Sequence, residues 1–262
     1  MDPDRYLDRI GVEPARARRP DRETLERLQR SHVTAVPFET LAITGDPFGV
    51  RDGEGVLLDL EHLYEKLVER GRGGFCYELN GLFGWLLGEL RFDADRVAAR
   101  VVTGGGVTVP ANHLAHVVEL DRRYVVDVGM GVPTMRRPLR LAGGRHTDAA
   151  GVDWRVVESD RPDADYLTQF RKPGDDDWTD RYVFRDRPRE LGYFEATCEY
   201  LQTAPESTFT GDPVVTIATE RGHRKLTPDT LTRFVGGTER EEPVAADEWH
   251  ELLRREFGLK YG

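Results

Sequence analysis

The sequence predicts an α+β fold in which helices precede an antiparallel sheet. Through the first ninety residues, apolar side chains recur at helical spacing. From about Asp93, short runs rich in β-branched residues alternate with Gly, Pro and Asp turns, which is the pattern of strands. A chain of 262 residues is long enough to bury a substantial core, in one large domain or in two to three smaller ones.

Two helices and a turn are predicted in the helical part before the first cysteine. One helix begins within 21–28, and a later one carries on one face Leu60, Leu63, Tyr64 and Leu67. Gly71 is the predicted C-cap of the later helix. Between the two helices, 36–39 contains a proline and predicts a turn that carries Phe38.

The second part of the chain predicts an antiparallel sheet or small barrel. Its predicted strands are 96–103, 113–120, 124–128 and 154–158. The polar segment 171–180 predicts a mobile loop. The tail combines a strand at 214–219 with a final helix at 245–257 that ends at Gly258.

Composition restricts the partners that this chain could have. Asp and Glu number 47 against 37 Lys and Arg, so the formal charge is −10, which argues against a nucleic-acid partner. Residues 1–6 contain no apolar signal-peptide core, and no stretch approaches the eighteen or so apolar residues of a membrane span. We therefore expect a cytoplasmic protein with reduced thiols and no membrane partner.

The segment 72–80 places Cys76 where a glycine-rich loop becomes an amphipathic helix. The apolar residues that define this helix are Leu79, Leu82, Phe83, Leu86, Leu87 and Leu90. Unpaired N–H groups and the positive end of the helix dipole favour a thiolate, so we expect a lowered pKa for Cys76. Cys76 is therefore a candidate nucleophile, the alternative being a buried, inert thiol.

The other cysteine, Cys198, has neither a glycine loop nor a predicted helix start beside it, and we interpret it as structural. With only two cysteines, a C-x-x-C redox pair and a cysteine-rich zinc site are excluded, and we expect no metal site. A disulfide between Cys76 and Cys198 stays open at this stage.

A cysteine nucleophile needs a base, and the base needs an orienting group. Five of the seven histidines are interpreted as surface or capping residues of predicted helices or loops: His32, His62, His250, His146 and His223. The other two, His113 and His116, share one predicted strand. They face opposite sides of it because their separation is odd, so at most one of them can face the thiol.

Asp127 lies within an apolar run, where a carboxylate is costly unless it has a partner. A three-residue turn at 119–121 would set His113 opposite Asp127, whereas a two-residue turn at 121–122 would set His116 there. Asp-Arg is a poor filler for a two-residue hairpin, so the pattern favours His113 without excluding His116.

These segments resemble the motifs of the arylamine N-acetyltransferase family. Residues 72–80 are similar to its R-G-G-[FY]-C-x-E-x-N nucleophile motif, 112–113 to its T-H-like strand start, and 127–131 to its D-V-G-F-G. Residues 32–39 resemble its H-x-x-x-V-P-F-E-N and 203–209 its T-S-P-x-S-x-F. The resemblance covers most of the chain and implies that Cys76, His113 and Asp127 form a catalytic triad.

The family resemblance also implies an architecture and an activity. Three parts with a cysteine-proteinase or transglutaminase-like core are expected: a helical bundle at 1–92, a β-barrel at 93–195, and an interdomain segment with a small α/β lid at 196–262. The implied reaction is ping-pong acetyl transfer from acetyl-CoA to arylamines or arylhydrazines through an acetyl-cysteine. Acetyl-CoA would be a co-substrate, with no permanently bound cofactor.

Substrate contacts are expected from the same resemblance and from the bare backbone of the Gly-rich segment 103–106. The candidate residues are Phe38, Thr103, Gly104, Gly105, Met130, Ser207 and Phe209. Met130 replaces the phenylalanine usual in the family, and Thr40 stands in the final asparagine position of the N-terminal motif. In the family both positions shape or border the acceptor pocket, so the resemblance leaves the identity of the acceptor open.

Other protein classes also combine such residues. Amide synthases of ansamycin-type biosynthesis share the fold and the triad, and they close a macrolactam from a polyketide bound to a carrier protein. A papain-like or transglutaminase-like hydrolase would use Cys, His and an amide or acid, but the C-G-[SA]-C-[WY] signature of papain relatives is missing and the Cys-to-His interval is far shorter than theirs. A non-catalytic binding protein would not need the complete triad.

Overall fold

Helices form the first part of the chain and strands form most of the remainder, which confirms the α+β prediction. The computed structural model describes residues 1–141 and 143–261. The α-helices are α1 Pro3–Arg9, α2 Arg22–Ala35, α3 Leu41–Thr44, α4 Leu60–Tyr64, α5 Cys76–Glu89, α6 Glu195–Thr203 and α7 Trp249–Phe257. The strands up to the middle of the chain are β1 Phe38–Glu39, β2 Asp93–Thr103, β3 Gly106–Val107, β4 His113–Glu119, β5 Arg123–Val126, β6 Leu139–Arg140 and β7 Arg145–Thr147. The later strands are β8 Asp153–Glu158, β9 Tyr166–Arg171, β10 Thr179–Pro188, β11 Val215–Thr219, β12 Gly222–Leu226, β13 Thr230–Val235 and β14 Thr238–Pro243.

The predicted helices begin at side-chain caps. Asp21 accepts a hydrogen bond from the backbone N–H of Thr24 at 2.9 Å and starts α2. Asp59 starts α4 in the same way, and the chain then continues through a π-helical turn at Glu65–Glu69. Gly71 follows at φ 64°, a backbone conformation that glycine adopts without steric cost.

The turn predicted at 36–39 is only partly correct. Helix α2 does end at Ala35, but Phe38 and Glu39 form strand β1, which pairs with β11. The N–H of Glu39 also bonds the carbonyl of Gly74 at 3.0 Å. These partners are distant in sequence, so the local pattern could not reveal them.

The largest sheet runs in the order β6-β5-β4-β2-β10-β9-β8-β7, with β3 added to β2. All its pairings are antiparallel, and β6 lies against β8, so the sheet curls into a nearly closed barrel. Sequence analysis missed β9 and β10. The buried residues of β10 are three consecutive ones, Tyr182 to Phe184, flanked by charged residues, so the strand shows no alternating pattern.

A second sheet, β1-β11-β12-β13-β14, is covered by α7. Strands β12 to β14 were not predicted, and α7 begins at Trp249 rather than at 245. His223 lies in β12 and His146 in β7, which corrects their interpretation as loop residues. The domain boundaries after residues 92 and 195 stay a prediction.

Helix α5 is the element that joins the helical part to the barrel. Its apolar stripe lies in a core shared with α1, α2 and α4, while its other side packs on β2 and β4. This packing brings the first turn of α5 to the start of β4. Among the described residues, none of the helices has the length and apolarity that crossing a membrane requires.

Candidate active site

Cys76 is the first residue of α5, as the sequence predicts. Its side chain is buried, with 3% of the residue exposed, and its Sγ lies 3.8 Å from the carbonyl oxygen of Asn112, the residue before His113. The backbone N–H of Tyr77 acts to lower the pKa of this thiol. Helix α5 therefore presents the thiol beside free helix N–H groups and at the start of the strand that carries His113.

A buried ionic network holds the loop before Cys76. Glu78 accepts from the N–H of Phe75 at 3.0 Å, which completes a capping interaction, and its other oxygen pairs with Lys66 at 2.6 Å. Glu39 lies 3.2 Å from Arg72 and 3.9 Å from Lys66. Two carboxylates and two cations thus compensate one another beneath the nucleophile, which fixes the position of the loop.

His113 and Asp127 form a buried pair with an Nε2 to Oδ2 distance of 2.8 Å. Because Nε2 faces the carboxylate, Nδ1 is the ring nitrogen left for the thiol. Among the described residues, Nδ1 makes no hydrogen bond, and the thiol donates to Asn112 instead. The ring of Tyr182 packs against the imidazole, with centroids 5.1 Å apart.

The strand register differs from both hairpins considered in the sequence. Glu119 pairs with Arg123 and His116 with Val126, so Asp127 lies opposite Ala115, just past the end of β5. His113 is two residues from Ala115 and therefore shares its face of the sheet, inside the barrel. The preference for His113 over His116 matches the structure, but the turn length used to argue it was wrong.

Asn80 connects the acidic residue to the helix that carries the thiol. Its Nδ2 donates to Oδ1 of Asp127 at 2.9 Å and to the carbonyl of Leu114 at 2.6 Å, and its Oδ1 accepts from Val128 N–H at 3.0 Å. The N–H of Gly129 is a second donor to Oδ1 of Asp127 at 2.9 Å. Sequence reasoning missed this role, although Asn80 belongs to the nucleophile motif and falls one helical turn after Cys76.

The surroundings shift the pKa values of Asp127 and Cys76 in opposite directions. Burial opposes ionisation of Asp127, but His113 and the hydrogen bonds from Asn80 and Gly129 outweigh it and hold the pKa of that carboxyl below its ordinary value. Burial raises the pKa of the Cys76 thiol well above its ordinary value. The expectation that the helix terminus by itself would lower this pKa is therefore wrong, and the thiolate needs a base that takes its proton.

His116 lies on the opposite face of β4 and packs against α5. A Cβ at Gly84 would lie 2.4 Å from its Nε2, so glycine is required at that position in the helix. Neither ring nitrogen has a hydrogen-bond partner among the described residues, and burial lowers the pKa of His116 to about 3. His116 is therefore a neutral residue of the helix–sheet interface.

Cys198 and Cys76 are both free thiols. Cys198 lies within α6, which starts three residues before it and contradicts the expectation that no helix begins nearby. Its side chain is buried, and burial raises its pKa to about 12. The structure thus excludes the disulfide that the sequence left open and supports a structural role for Cys198.

Of the other histidines, His32 is fully buried and its Nδ1 bonds the hydroxyl of Tyr6 at 3.0 Å, so it is a core residue and not a surface one. His250 pairs with the buried carboxylate of Asp46 and joins α7 to the loop after α3. His62 is half-buried on α4.

The aromatic residues predicted to contact substrate do lie near the nucleophile. Phe38 and Phe209 pack against the cluster that contains Phe75 and Cys76, and the rings of Phe75 and Phe209 are 5.5 Å apart. Met130 packs against the barrel core beside the Asp127 loop.

The other predicted substrate contacts are Ser207 and the Gly-rich segment 103–106. Ser207 donates to the carbonyl of Leu201 at 2.5 Å and accepts from the N–H of Phe209, so its hydroxyl shapes the chain after α6. Residues 103–106 form the exposed tip of the β2–β3 hairpin. Thr103 is four residues along β2 from Ala99, which pairs with His113. At about 3.3 Å per residue, the tip therefore lies about 13 Å along the strand from the level of His113.

Among the described residues, no group of three or more His, Cys, Asp and Glu side chains could hold a metal ion. The constellation instead joins a thiol, an imidazole and a carboxylate in a buried, low-dielectric setting. Such an arrangement suits nucleophilic acyl transfer.

Comparisons with known proteins agree with this geometry. A family model described as N-acetyltransferase matches residues 21–262. The arylamine N-acetyltransferase of Mycolicibacterium smegmatis is 32% identical over 270 residues, covering 100% of this chain and 93% of that relative.

Solved structures extend the likeness to the whole fold. The arylamine N-acetyltransferase of Mycobacterium marinum, in complex with CoA, is 29% identical with a TM-score of 0.85, covering 98% of this chain and 93% of that one. An enzyme of Bacillus cereus is 26% identical with a TM-score of 0.86 over 100% of both chains, and is described as having a unique Cys-His-Glu catalytic triad. This chain has Asp127 as the acid paired with His113. It belongs to the arylamine N-acetyltransferase family.

Proposed function

We propose that this protein transfers an acetyl group from acetyl-CoA to arylamines or arylhydrazines by a ping-pong mechanism, with Cys76 as the acetylated residue and His113 and Asp127 as its triad partners. The observation that carries the proposal is the junction of α5 with β4. There the thiol at the helix start, the His113–Asp127 pair and the bridging Asn80 converge. Family membership and the CoA complex of the M. marinum relative support CoA as the carrier of the acyl group.

In the first half-reaction, the thiol leaves the carbonyl of Asn112 and passes its proton to Nδ1 of His113. Sγ of Cys76 then forms a bond to the acetyl carbon of acetyl-CoA. N–H groups at the start of α5, with Tyr77 the first candidate, stabilise the negative charge on the carbonyl oxygen. The bond to the CoA sulfur breaks, and CoA leaves with the proton held by His113.

In the second half-reaction, a neutral amine attacks the acetyl-cysteine, and His113 takes a proton from its nitrogen. The bond to Sγ breaks, and the sulfur regains that proton as the amide is released. Asp127 keeps its charge throughout, holds the imidazole by Nε2 and stabilises its protonated form. Weakly basic arylamines and hydrazines suit this step because they are unprotonated at neutral pH.

The substrate contacts follow from the same arrangement. Phe38, Phe209 and Met130 are proposed to border the acceptor, because they pack beside the Cys76 loop or the Asp127 loop. The hairpin tip, with Thr103, Gly104 and Gly105, is proposed to contact CoA through bare backbone N–H groups. Ser207 would contribute by placing Phe209, because its hydroxyl is already engaged.

A reaction that uses acetyl-CoA and a reduced thiol needs a reducing, CoA-containing compartment, and we propose the cytoplasm. The acyl donor and the amine acceptor are the only partners that the mechanism requires.

Intact-protein mass spectrometry after mixing with acetyl-CoA, without an amine, tests the proposal. We expect one added acetyl group that maps to Cys76 and is discharged by an aniline or a hydrazine. The Cys76→Ala variant should not be acetylated, whereas Cys198→Ala is the matched control and should be labelled like the parent.

The opposite result would be an unlabelled protein whose Cys76 still reacts with iodoacetamide. That outcome would contradict acetyl-CoA as donor. It would direct the search to the carrier-bound polyketide thioester of an amide synthase.

A further inference from the structure

A segment without helix or strand, residues 54–58, lies against the buried cluster that includes Cys76, and we call it the cover segment. The side chains of Val56 and Leu58 are half-buried and pack against that cluster. Leu57, between them, is 59% exposed. One side of the cover segment therefore faces the cluster of the nucleophile, and its other side faces solvent.

The first residues of the cover segment are anchored near the nucleophile loop. The carboxylate of Glu54 lies 3.2 Å from Arg70 and 3.5 Å from Arg72, the residue at which the loop before Cys76 begins. The N–H of Gly55 donates to the carbonyl of Ala42 in α3 at 2.7 Å. These contacts fix where the cover segment starts, but they do not hold its middle.

Gln202 of α6 holds the middle of the cover segment. Its Oε1 accepts from the N–H of Val56 at 2.8 Å, and its Nε2 donates to the carbonyl of Val56 at 3.1 Å. In the described part of the chain, neither backbone group of Val56 has another hydrogen-bond partner. One side-chain amide therefore satisfies both backbone groups of a residue that lies outside any helix or strand.

Helix α6 is itself attached to the cluster of the nucleophile. Its residues Cys198 and Leu201 are buried in the same cluster as Cys76. Gln202 follows directly, so its amide fastens the cover segment to an element that cannot move away without opening this cluster. Without Gln202, the N–H and carbonyl of Val56 would need water as their partner, and the cover segment would move outward to reach it.

The chemistry of the intermediate gives this attachment a consequence. An acetyl-cysteine is a thioester, which water can attack as well as an amine. In the attack by water, its oxygen bonds to the acetyl carbon, the bond to Sγ breaks, acetate leaves, and the sulfur regains a proton from the water. A ping-pong enzyme has to exclude that water between the departure of CoA and the arrival of the amine.

We propose that Gln202 is a positioning residue that holds the cover segment over Cys76 and thereby protects the acetyl-cysteine from hydrolysis. The proposal rests on the acetyl transfer described above and adds how its intermediate is preserved for the amine. Gln202 acts through the backbone of Val56 and touches none of the reacting atoms.

The test compares two fates of one intermediate. Acetyl-enzyme is prepared with acetyl-CoA and desalted rapidly, and the loss of its acetyl group is followed by intact-protein mass spectrometry, without an amine and with aniline. Gln202→Met keeps the length of the side chain but removes both bonds to Val56. Its hydrolysis without amine should be at least about tenfold faster than in the parent, while discharge by aniline should change less than about twofold.

Two further variants calibrate the result. Gln202→Glu keeps an acceptor for the N–H of Val56 but loses the donor to its carbonyl, so its hydrolysis rate should lie between those of the parent and Gln202→Met. Thr203→Val is the matched control, because it removes a side-chain bond to the carbonyl of Glu199 within α6, at 2.7 Å, and leaves the cover segment untouched. It should hydrolyse like the parent.

Unchanged hydrolysis in Gln202→Met would overturn the proposal. So would an equal change of hydrolysis and of discharge by aniline, or equal hydrolysis in Thr203→Val and Gln202→Met, since a merely structural residue would act in these ways. If Gln202→Met does not fold, Val56→Ala thins the same cover, and unchanged hydrolysis there would overturn the proposal as well. Failure of the proposed function would look different, because Cys76 of the parent would then never be acetylated.

Discussion

Replacing Asn80 by alanine removes the side chain that joins α5 to the Asp127 loop. Asn80 is completely buried and makes three hydrogen bonds, to Leu114, Asp127 and Val128. A buried hydrogen bond contributes about 1 kcal/mol net, and one to a charged group about 1.5–3 kcal/mol. We therefore expect Asn80→Ala to lower the free energy of unfolding by about 3–5 kcal/mol, a large part of the 5–15 kcal/mol typical of a domain.

The same change should alter activity and its dependence on pH. Without Asn80, Asp127 keeps only His113 and the Gly129 N–H, so its lowered pKa should move back toward the ordinary value. A carboxyl with a lowered pKa contributes stability that is present above its unfolded pKa and is lost as pH falls through the folded pKa. The contribution of Asp127 to stability should therefore be smaller in Asn80→Ala, and its loss on acidification should be complete at a higher pH. Acetylation of Cys76 should slow by about 10- to 150-fold, because the lost bond to the carboxylate contributes about 1.5–3 kcal/mol.

Gln29→Leu is the matched control. Gln29 donates to the backbone carbonyls of Asp127 and Met135, so its loss weakens the same loop without touching the carboxylate. Urea unfolding followed by tryptophan fluorescence measures stability, and single-turnover acetylation measures the first half-reaction. The reasoning is refuted if Asn80→Ala loses less than about 1 kcal/mol, or if Gln29→Leu slows acetylation as much as Asn80→Ala does.

Four further substitutions test the same site. In His113→Ala, alkylation of Cys76 by iodoacetamide at pH 7 should slow, because burial raises the thiol pKa and no base remains to take the proton. The midpoint of the alkylation rate against pH should move to higher pH. An unchanged rate would show that His113 is not the base. Asp127→Asn should reduce acetylation by about 10³- to 10⁴-fold through loss of the oriented imidazole, and a loss under tenfold would contradict that role. Lys66→Met should destabilise the protein by about 3–5 kcal/mol, because it leaves Glu78 buried and uncompensated. Adding Glu78→Gln should recover much of that loss. Urea unfolding of Lys66→Met, Glu78→Gln and the double variant would expose an incorrect assignment if the two single losses simply add.

The local part of the site is predictable from sequence because it depends on neighbouring residues. The glycines before Cys76, Glu78 at the capping position and the apolar stripe of α5 all lie within one short segment. The buried acid just past the end of β5 was recognisable for the same reason, since an aspartate in an apolar run requires a partner. The β9–β10 pair was not recognisable, because β10 buries only three consecutive residues between charged ones and shows no alternation.

Pairing between distant segments was not predictable. Sequence analysis considered two hairpin registers between β4 and β5, and neither is the observed one, because a three-residue loop can be placed one position later at no visible local cost. Both three-residue loops keep His113 on the face of Asp127, so the preferred residue was right although the loop was wrong. The pKa of Cys76 was misjudged because the helix terminus is visible in the sequence, whereas the burial that opposes it depends on the whole fold.

By itself, the sequence determined the helix that begins at Cys76 and the residue types of its partners, a histidine and an aspartate. It also determined the family to which their motifs point. Only the tertiary structure decided which atoms meet: Nε2 of His113 on Asp127, and Asn80 between helix and barrel. The physical reason is the range of the interactions. Helix capping and apolar periodicity act over a few residues, whereas hydrogen-bond satisfaction and desolvation depend on side chains that the packing of distant strands brings together.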